Sequence, residues 1–159
     1  MKHDKNLTKW LYSKELNIFA TVTLKKRIWT ANSKGEYYLE PITKEHIQKT
    51  GWMLRDRVSK VLFGTRAFKN KKIPPFLVFT ENDSDNRPHL HILASKPAGM
   101  ASEECDNLFR TTAQNLDWVY DQIDIRPICP SDITKVILYS LKTGFDAFIP
   151  QASFIPSNS

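Results

Sequence analysis

The sequence predicts an α+β domain, an antiparallel sheet with helices packed on it, on three observations. Strand-like and helix-like stretches alternate in the order strand, helix, strand pair, helix, strand, helix, and the pair is close enough to form a hairpin. The 159 residues are 41% hydrophobic and 25% charged, the balance of an ordinary globular chain with one core. No internal repeat, low-complexity tract or linker interrupts them, so residues 1–150 read as a single domain and 151–159 as a loosely held tail.

The first strand is predicted at Asn17 to Leu24, where β-branched and aromatic residues cluster and Phe19, Thr21 and Thr23 alternate with Ile18, Ala20, Val22 and Leu24. The basic run Lys25, Lys26, Arg27 follows it. A helix then runs from a Thr43 cap to a stop at Gly64. Ile47, Leu54, Val58, Val61 and Leu62 form its apolar stripe, and Lys49, Arg55, Arg57 and Lys60 its charged face. After Pro74 and Pro75, a strand from Phe76 to Thr80 and another from His89 to Ala94 form a hairpin with a polar loop. Ser102 is the expected cap of a second helix carrying Cys105, Leu108, Phe109, Leu116 and Val119. A strand through Ile123 to Ile128 comes next, and the last helix spans Asp132 to Thr143, capped by Ser131 and stopped by Gly144. Ile133, Ile137, Leu138 and Leu141 are expected on its buried side.

Charge is unevenly spread. Residues 1–72 hold 17 basic and 6 acidic side chains, a net +11, whereas residues 73–159 hold 6 and 11, a net −5. A basic half beside an acidic half suits a polyanion-binding surface next to carboxylates that could hold metal. Cys105 and Cys129 make neither a disulfide framework nor a zinc-finger spacing, which points to a reducing, cytoplasmic setting. With no leader-like apolar run after Met1 and no stretch of 18 apolar residues, neither secretion nor a membrane span is expected.

Two constellations carry chemistry. In a strand, His89 and His91 project from one side while Leu90 and Ile92 project from the other, so two imidazoles stand together as candidate metal ligands. Glu81 is the favoured third ligand because it closes the preceding strand across the hairpin; Asp83 and Asp85 in the loop compete with it. Such a nitrogen and oxygen set suits Mg²⁺ or Mn²⁺, and Zn²⁺ equally fits the donors. The second constellation is Tyr139 and Lys142, three apart on the last helix, with Lys135 one turn earlier, opposite the apolar stripe. A tyrosine hydroxyl can attack a phosphodiester if a cation or metal assists it, and Lys142 is placed to assist.

Together these residues resemble the HUH endonucleases (His, hydrophobic, His), specifically the Rep class that initiates rolling-circle replication. Phe19-Ala-Thr-Val-Thr-Leu24 is similar to the family's first motif, Pro88-His-Leu-His91 to the second, and Tyr139-Ser-Leu-Lys142, a YxxK pattern, to the third. The resemblance implies a central sheet of about five antiparallel strands (the HUH/Rep nuclease fold, ferredoxin- or RRM-like). It implies His89, His91 and Glu81 as ligands of Mg²⁺ or Mn²⁺, and Tyr139, assisted by Lys142, as the nucleophile. The implied activity is metal-dependent nicking of single-stranded DNA at an origin or hairpin, leaving a 5′-phosphotyrosine and a free 3′-OH, to initiate and terminate rolling-circle replication.

Lys25, Lys26 and Arg27 are the expected backbone-tracking group, with the basic helix beside them. Trp10, Trp29, Tyr37, Tyr38 and Trp52 are candidates for base stacking or, individually, for the core. The five glycines include no phosphate-loop pattern, so a helicase, like the polymerase, is expected from the host in trans, and the protein from a plasmid, phage or other mobile element. Three other readings compete: a single-tyrosine transposase of the same superfamily, a non-haem iron oxygenase built on two histidines and a carboxylate, and a non-catalytic single-stranded DNA-binding module.

Overall fold

The computed structural model describes residues 16–82, 87–142, 144 and 147–156. Among these, the strands are β1 (Ile18–Leu24), β2 (Arg27–Ala31), β3 (Tyr37–Pro41), β4 (Leu77–Asn82), β5 (Pro88–Ala94) and β6 (Val119–Pro127). The helices are α1 (Lys44–Phe63), α2 (Thr65–Lys69), α3 (Ser102–Gln114) and α4 (Ile133–Ser140). The central sheet is antiparallel in the order β4-β5-β1-β6, and β2 and β3 form a separate two-stranded ribbon. The fold is thus α+β, with four strands in the sheet where about five were expected. Beyond β4, the described residues make only two isolated bridges, Phe76 to Phe154 and Phe79 to Phe148.

Strand alternation divides the molecule into layers. Ile18, Ala20, Val22 and Leu24 of β1, with Leu90 and Ile92 of β5, face one side and pack against Leu54, Val58 and Leu62 of α1 and Cys105, Phe109 and Ala113 of α3. On the other side, Leu77, Phe79 and Leu93 meet Ile133 and Ile137 of α4. The short α4 covers only part of that face. The long basic helix therefore lies behind the sheet, on the side away from the histidines. Its charges are also partly engaged: Arg55 Nη1 donates to the carbonyls of Gln151 and Ser153 at 2.9 and 3.3 Å, and Lys60 lies over the Phe68 ring. The helix expected to track DNA beside Lys25 to Arg27 is thus on the opposite side of the sheet from His89 and His91.

Several boundaries also move. Thr43 caps α1 as expected, its hydroxyl accepting from the His46 N–H while the His46 ring accepts from the Thr43 N–H, a capping box. Ser102 is instead the first residue of α3, after an Ala101 that makes no side-chain cap. Val119 leaves the helix and begins β6. A 3-10 turn at Pro130–Asp132 displaces the Ser131 cap, so α4 starts at Ile133 and ends at Ser140. Over those eight residues the buried positions are Ile133, Ile137 and Ser140, leaving Leu138 44% exposed rather than on the core side.

The C-terminal stretch is held in place as far as Phe154, contrary to the loose tail expected from residue 151. Ala152 is fully buried, Phe154 exchanges backbone hydrogen bonds with Phe76 at 2.9 and 2.7 Å, and Arg55 clamps the turn. Gly51 makes room for it: a Cβ there would sit 2.8 Å from Ala152 Cβ and 3.3 Å from Val78 Cγ1. Gly51→Ala should therefore lower stability in urea melts by up to about 2 kcal/mol, because overpacking of about 1–3 kcal/mol is offset by the roughly 1 kcal/mol helix preference for alanine. A stabilised variant would mean the tail is not seated on α1.

Candidate functional site

The face left open by α4 is a cleft of about 470 Å³, lined by Phe19, Thr21, Glu81, His89, His91, Asp124, Arg126 and Tyr139. Strand register builds it. Thr21 pairs with His91 and Thr23 with His89, Glu81 lies opposite His89, and Asp124 lies opposite Thr21, so all these side chains emerge on one side.

Each histidine is held by a threonine of the neighbouring strand: Thr21 Oγ1 is 3.2 Å from His91 Nδ1, and Thr23 Oγ1 is 3.2 Å from His89 Nδ1. His91 is buried, stacks on Phe19 at a centroid distance of 5.3 Å, and directs Nε2 to the Glu81 carboxylate, which reaches it diagonally across the hairpin. The other carboxylate oxygen of Glu81 accepts from Lys142 Nζ at 2.6 Å. Lys142 in turn lies 4.3 Å from the centre of the Tyr139 ring, and that ring meets His91 edge-on with centroids 5.8 Å apart. The turn that closes α4, in which the Lys142 N–H donates to the Tyr139 carbonyl, brings the lysine back over the tyrosine.

These contacts fix protonation. Burial disfavours the imidazolium of His91 and holds its pKa below the ordinary 6.5, despite the opposing pull of Glu81. Burial would raise the Glu81 carboxyl, but hydrogen bonds from Lys142 and His91 outweigh it and hold the group below 4.5. Hydrogen bonds to Glu81 and Tyr139 keep the Lys142 ammonium protonated above its ordinary 10.5. At neutral pH the cleft thus presents a carboxylate, a neutral His91 imidazole and an ammonium.

No family model, curated protein or solved structure matches the chain.

The donor set fits a divalent cation in kind: two imidazoles whose Nδ1 atoms already have threonine partners, and a carboxylate on the same face. Among the described residues, no three His, Cys, Asp or Glu side chains converge as a formed cage, because Glu81 is turned onto His91 and Lys142. Asp83 and Asp85, the competing carboxylates, lie outside the described residues, as does Trp10.

Five of the sequence-predicted residues, Glu81, His89, His91, Tyr139 and Lys142, come together. Lys25, Lys26 and Arg27 do not line the cleft; they are exposed at the root of the β2–β3 ribbon, just past the end of β1. Lys135, 84% exposed, pairs with Asp132 at 4.0 Å instead of joining Tyr139.

Sequence reasoning missed the roles of Thr21, Thr23, Asp124 and Arg126. The alternation of Phe19, Thr21 and Thr23 was a usable signal for the threonines, but only the β1–β5 register reveals what they touch. Asp124 and Arg126, joined at 2.7 Å, sit on a strand whose exposed positions carry no motif. Thr21→Val keeps the side-chain shape and removes the hydroxyl. It should weaken Mn²⁺ binding about 10–100-fold in calorimetric titration, and unchanged affinity would show that Thr21 does not orient His91.

Proposed function

We propose that the protein is a metal-dependent endonuclease and strand transferase of the HUH Rep kind, which nicks single-stranded DNA at an origin or hairpin to start and end rolling-circle replication. What carries this reading is the meeting of Tyr139 of α4, and Lys142 of the turn that closes it, with Glu81, His89 and His91 of the β4–β5 hairpin at one open cleft. A phenol, an ammonium and a three-donor set are the groups a tyrosine transesterification needs, and residues as far apart in sequence as Phe19 and Tyr139 supply the walls.

Glu81, His89 and His91 would hold Mg²⁺ or Mn²⁺, which would supply positive charge to the scissile phosphate. With the metal bound, Thr21 and Thr23 would accept from the Nδ1–H of their histidines and leave the Nε2 lone pairs to the cation; in this structure neutral His91 gives its Nε2–H to Glu81, so the Thr21 hydroxyl donates to Nδ1, and one hydroxyl serves either tautomer. Tyr139 Oη attacks phosphorus in line, the P–O3′ bond breaks, the phenolic proton passes to solvent and the departing oxygen takes one up as a 3′-OH. Lys142, an ammonium throughout, offsets negative charge as it develops beside the tyrosine. The 5′-phosphotyrosine conserves the bond energy, so a later 3′-OH reverses the step and joins strands without ATP.

The partner is then single-stranded DNA, with helicase and polymerase supplied in trans by a bacterial host and the protein working in its cytoplasm. No helix among the described residues is long and apolar enough to cross a membrane. Incubation with labelled single-stranded hairpin oligonucleotides and Mn²⁺ should give a covalent adduct on a denaturing gel that EDTA prevents. Binding without any adduct across a broad panel would leave a non-catalytic DNA-binding module instead.

A further inference from the structure

The β2–β3 ribbon leaves β1 at the end where Thr23 meets His89, and its root is pinned by backbone hydrogen bonds from Lys25 to Trp118 and from Ile42 to Lys26, both 2.9 Å. The tip is a tight turn in which the Asn32 side chain accepts from the Lys34 and Glu36 N–H groups and Gly35 takes φ +78°. Alternation and register give the ribbon two unlike faces. One carries the buried Ile28; the other aligns Arg27, Trp29, Tyr37 and Leu39, with Trp29 opposite Leu39 and Tyr37 opposite Ala31. That outer face should be polar on a solvated ribbon, yet Trp29 is 67% exposed and Tyr37 76%.

We infer that this ribbon is a stacking platform for unpaired bases, with Trp29 and Tyr37 taking successive bases and Lys25, Lys26 and Arg27 holding the phosphates that lead toward the cleft. The inference rests on the proposed single-stranded DNA reading and adds the surface that grips the strand outside the reacting centre. The chemistry at the root decides the occupant. Three consecutive exposed cations beside two flat aromatic rings match a strand that offers a phosphate and a π-face at every nucleotide.

The test uses Tyr139→Phe protein in EDTA, so that neither cleavage nor cation enters, with anisotropy of a fluorescein-labelled oligothymidylate and of an abasic strand of equal length. Trp29→Ala and Tyr37→Ala should each weaken oligothymidylate binding about 5- to 150-fold. Neither should change the salt dependence, each should reduce the preference for the base-bearing strand, and the double variant should lose it. Lys25→Ala together with Lys26→Ala should instead flatten the salt dependence by about 0.7 per charge removed. Both aromatic side chains are exposed, so circular dichroism should be unchanged. Oligothymidylate binding that is undiminished in both aromatic variants would overturn the inference even if the wild-type protein with Mn²⁺ forms the adduct. Loss of binding in those variants, with no adduct from the wild-type protein and Mn²⁺, would retain the platform and sink the nuclease reading. Self-association abolished by Trp29→Ala, with DNA affinity intact, would assign the ribbon to a second copy of the chain and also overturn it.

Discussion

Tyr139→Phe should abolish covalent adduct formation, by at least about 1,000-fold in initial rate, while leaving Mn²⁺ binding and the thermal melt as they are. The substitution deletes one oxygen, a hydrogen-bond partner of Lys142. Tyr139 is 50% exposed, so no core packing is disturbed, and its ring keeps the contact with His91. On the proposed mechanism no other group in the cleft replaces the phenol: Lys142 is protonated, and the carboxylate of Glu81 would be a ligand of the cation. A variant that still cleaves would move the chemistry to water, as in an ordinary metal-dependent hydrolase. A non-haem iron oxygenase would likewise be indifferent to the phenol in DNA assays, because it would form no adduct at all.

The second large effect is expected at Glu81. Glu81→Gln keeps size but removes the charge and one of the two acceptor oxygens, and should weaken Mn²⁺ binding by about 100-fold or more, since changing residues that only orient ligands costs about 10–100-fold. Lys142→Met separates the two roles of that carboxylate. With Lys142 and a cation competing for Glu81, losing the ammonium should leave Mn²⁺ affinity equal or higher, yet slow adduct formation about 100-fold, because the charge beside the reacting oxygen is gone. If Glu81→Gln binds Mn²⁺ as the parent does, the carboxylate serves only Lys142, and the ligand set must be found elsewhere.

What the sequence discloses and what it hides follow from which interactions are local. β1, α1 and the β4–β5 hairpin are legible because period-2 and period-3.6 patterns, a Thr43 cap and a Gly64 stop are written within each segment. The facing of His89 and His91 is legible for the same reason. The β2–β3 ribbon is not, because Arg27 to Pro41 mixes charge with exposed aromatics and buries only Ile28, so its alternation carries no clean apolar face. The shortening of α4 is also hidden: the helix gives way to a turn at Leu141 and Lys142, where the lysine meets Glu81 of β4, a contact that the local pattern does not show.

Long-range partners stay invisible in one sequence. The clamp of Arg55 on Gln151 and Ser153 joins residues nearly a hundred positions apart, which is why Arg55 reads as a solvated cation and the tail as loose. In the site, the sequence puts Glu81 across the hairpin from the two histidines, but that it pairs with His89 and reaches His91 on the diagonal comes from the strand register, which spacing does not give.

The central claim is that Tyr139 itself takes the DNA. Trypsin cuts after Lys135 and Lys142, and the resulting peptide, residues 136–142, holds Tyr139 as its only tyrosine. After reaction with a single-stranded hairpin and Mn²⁺, nuclease trimming and mass spectrometry should find that peptide carrying a nucleotide through a 5′-phosphotyrosyl bond, and the released strand ending in a 3′-OH. Cleaved DNA with an unmodified 136–142 peptide, or a nucleotide attached to any other residue, would contradict the account.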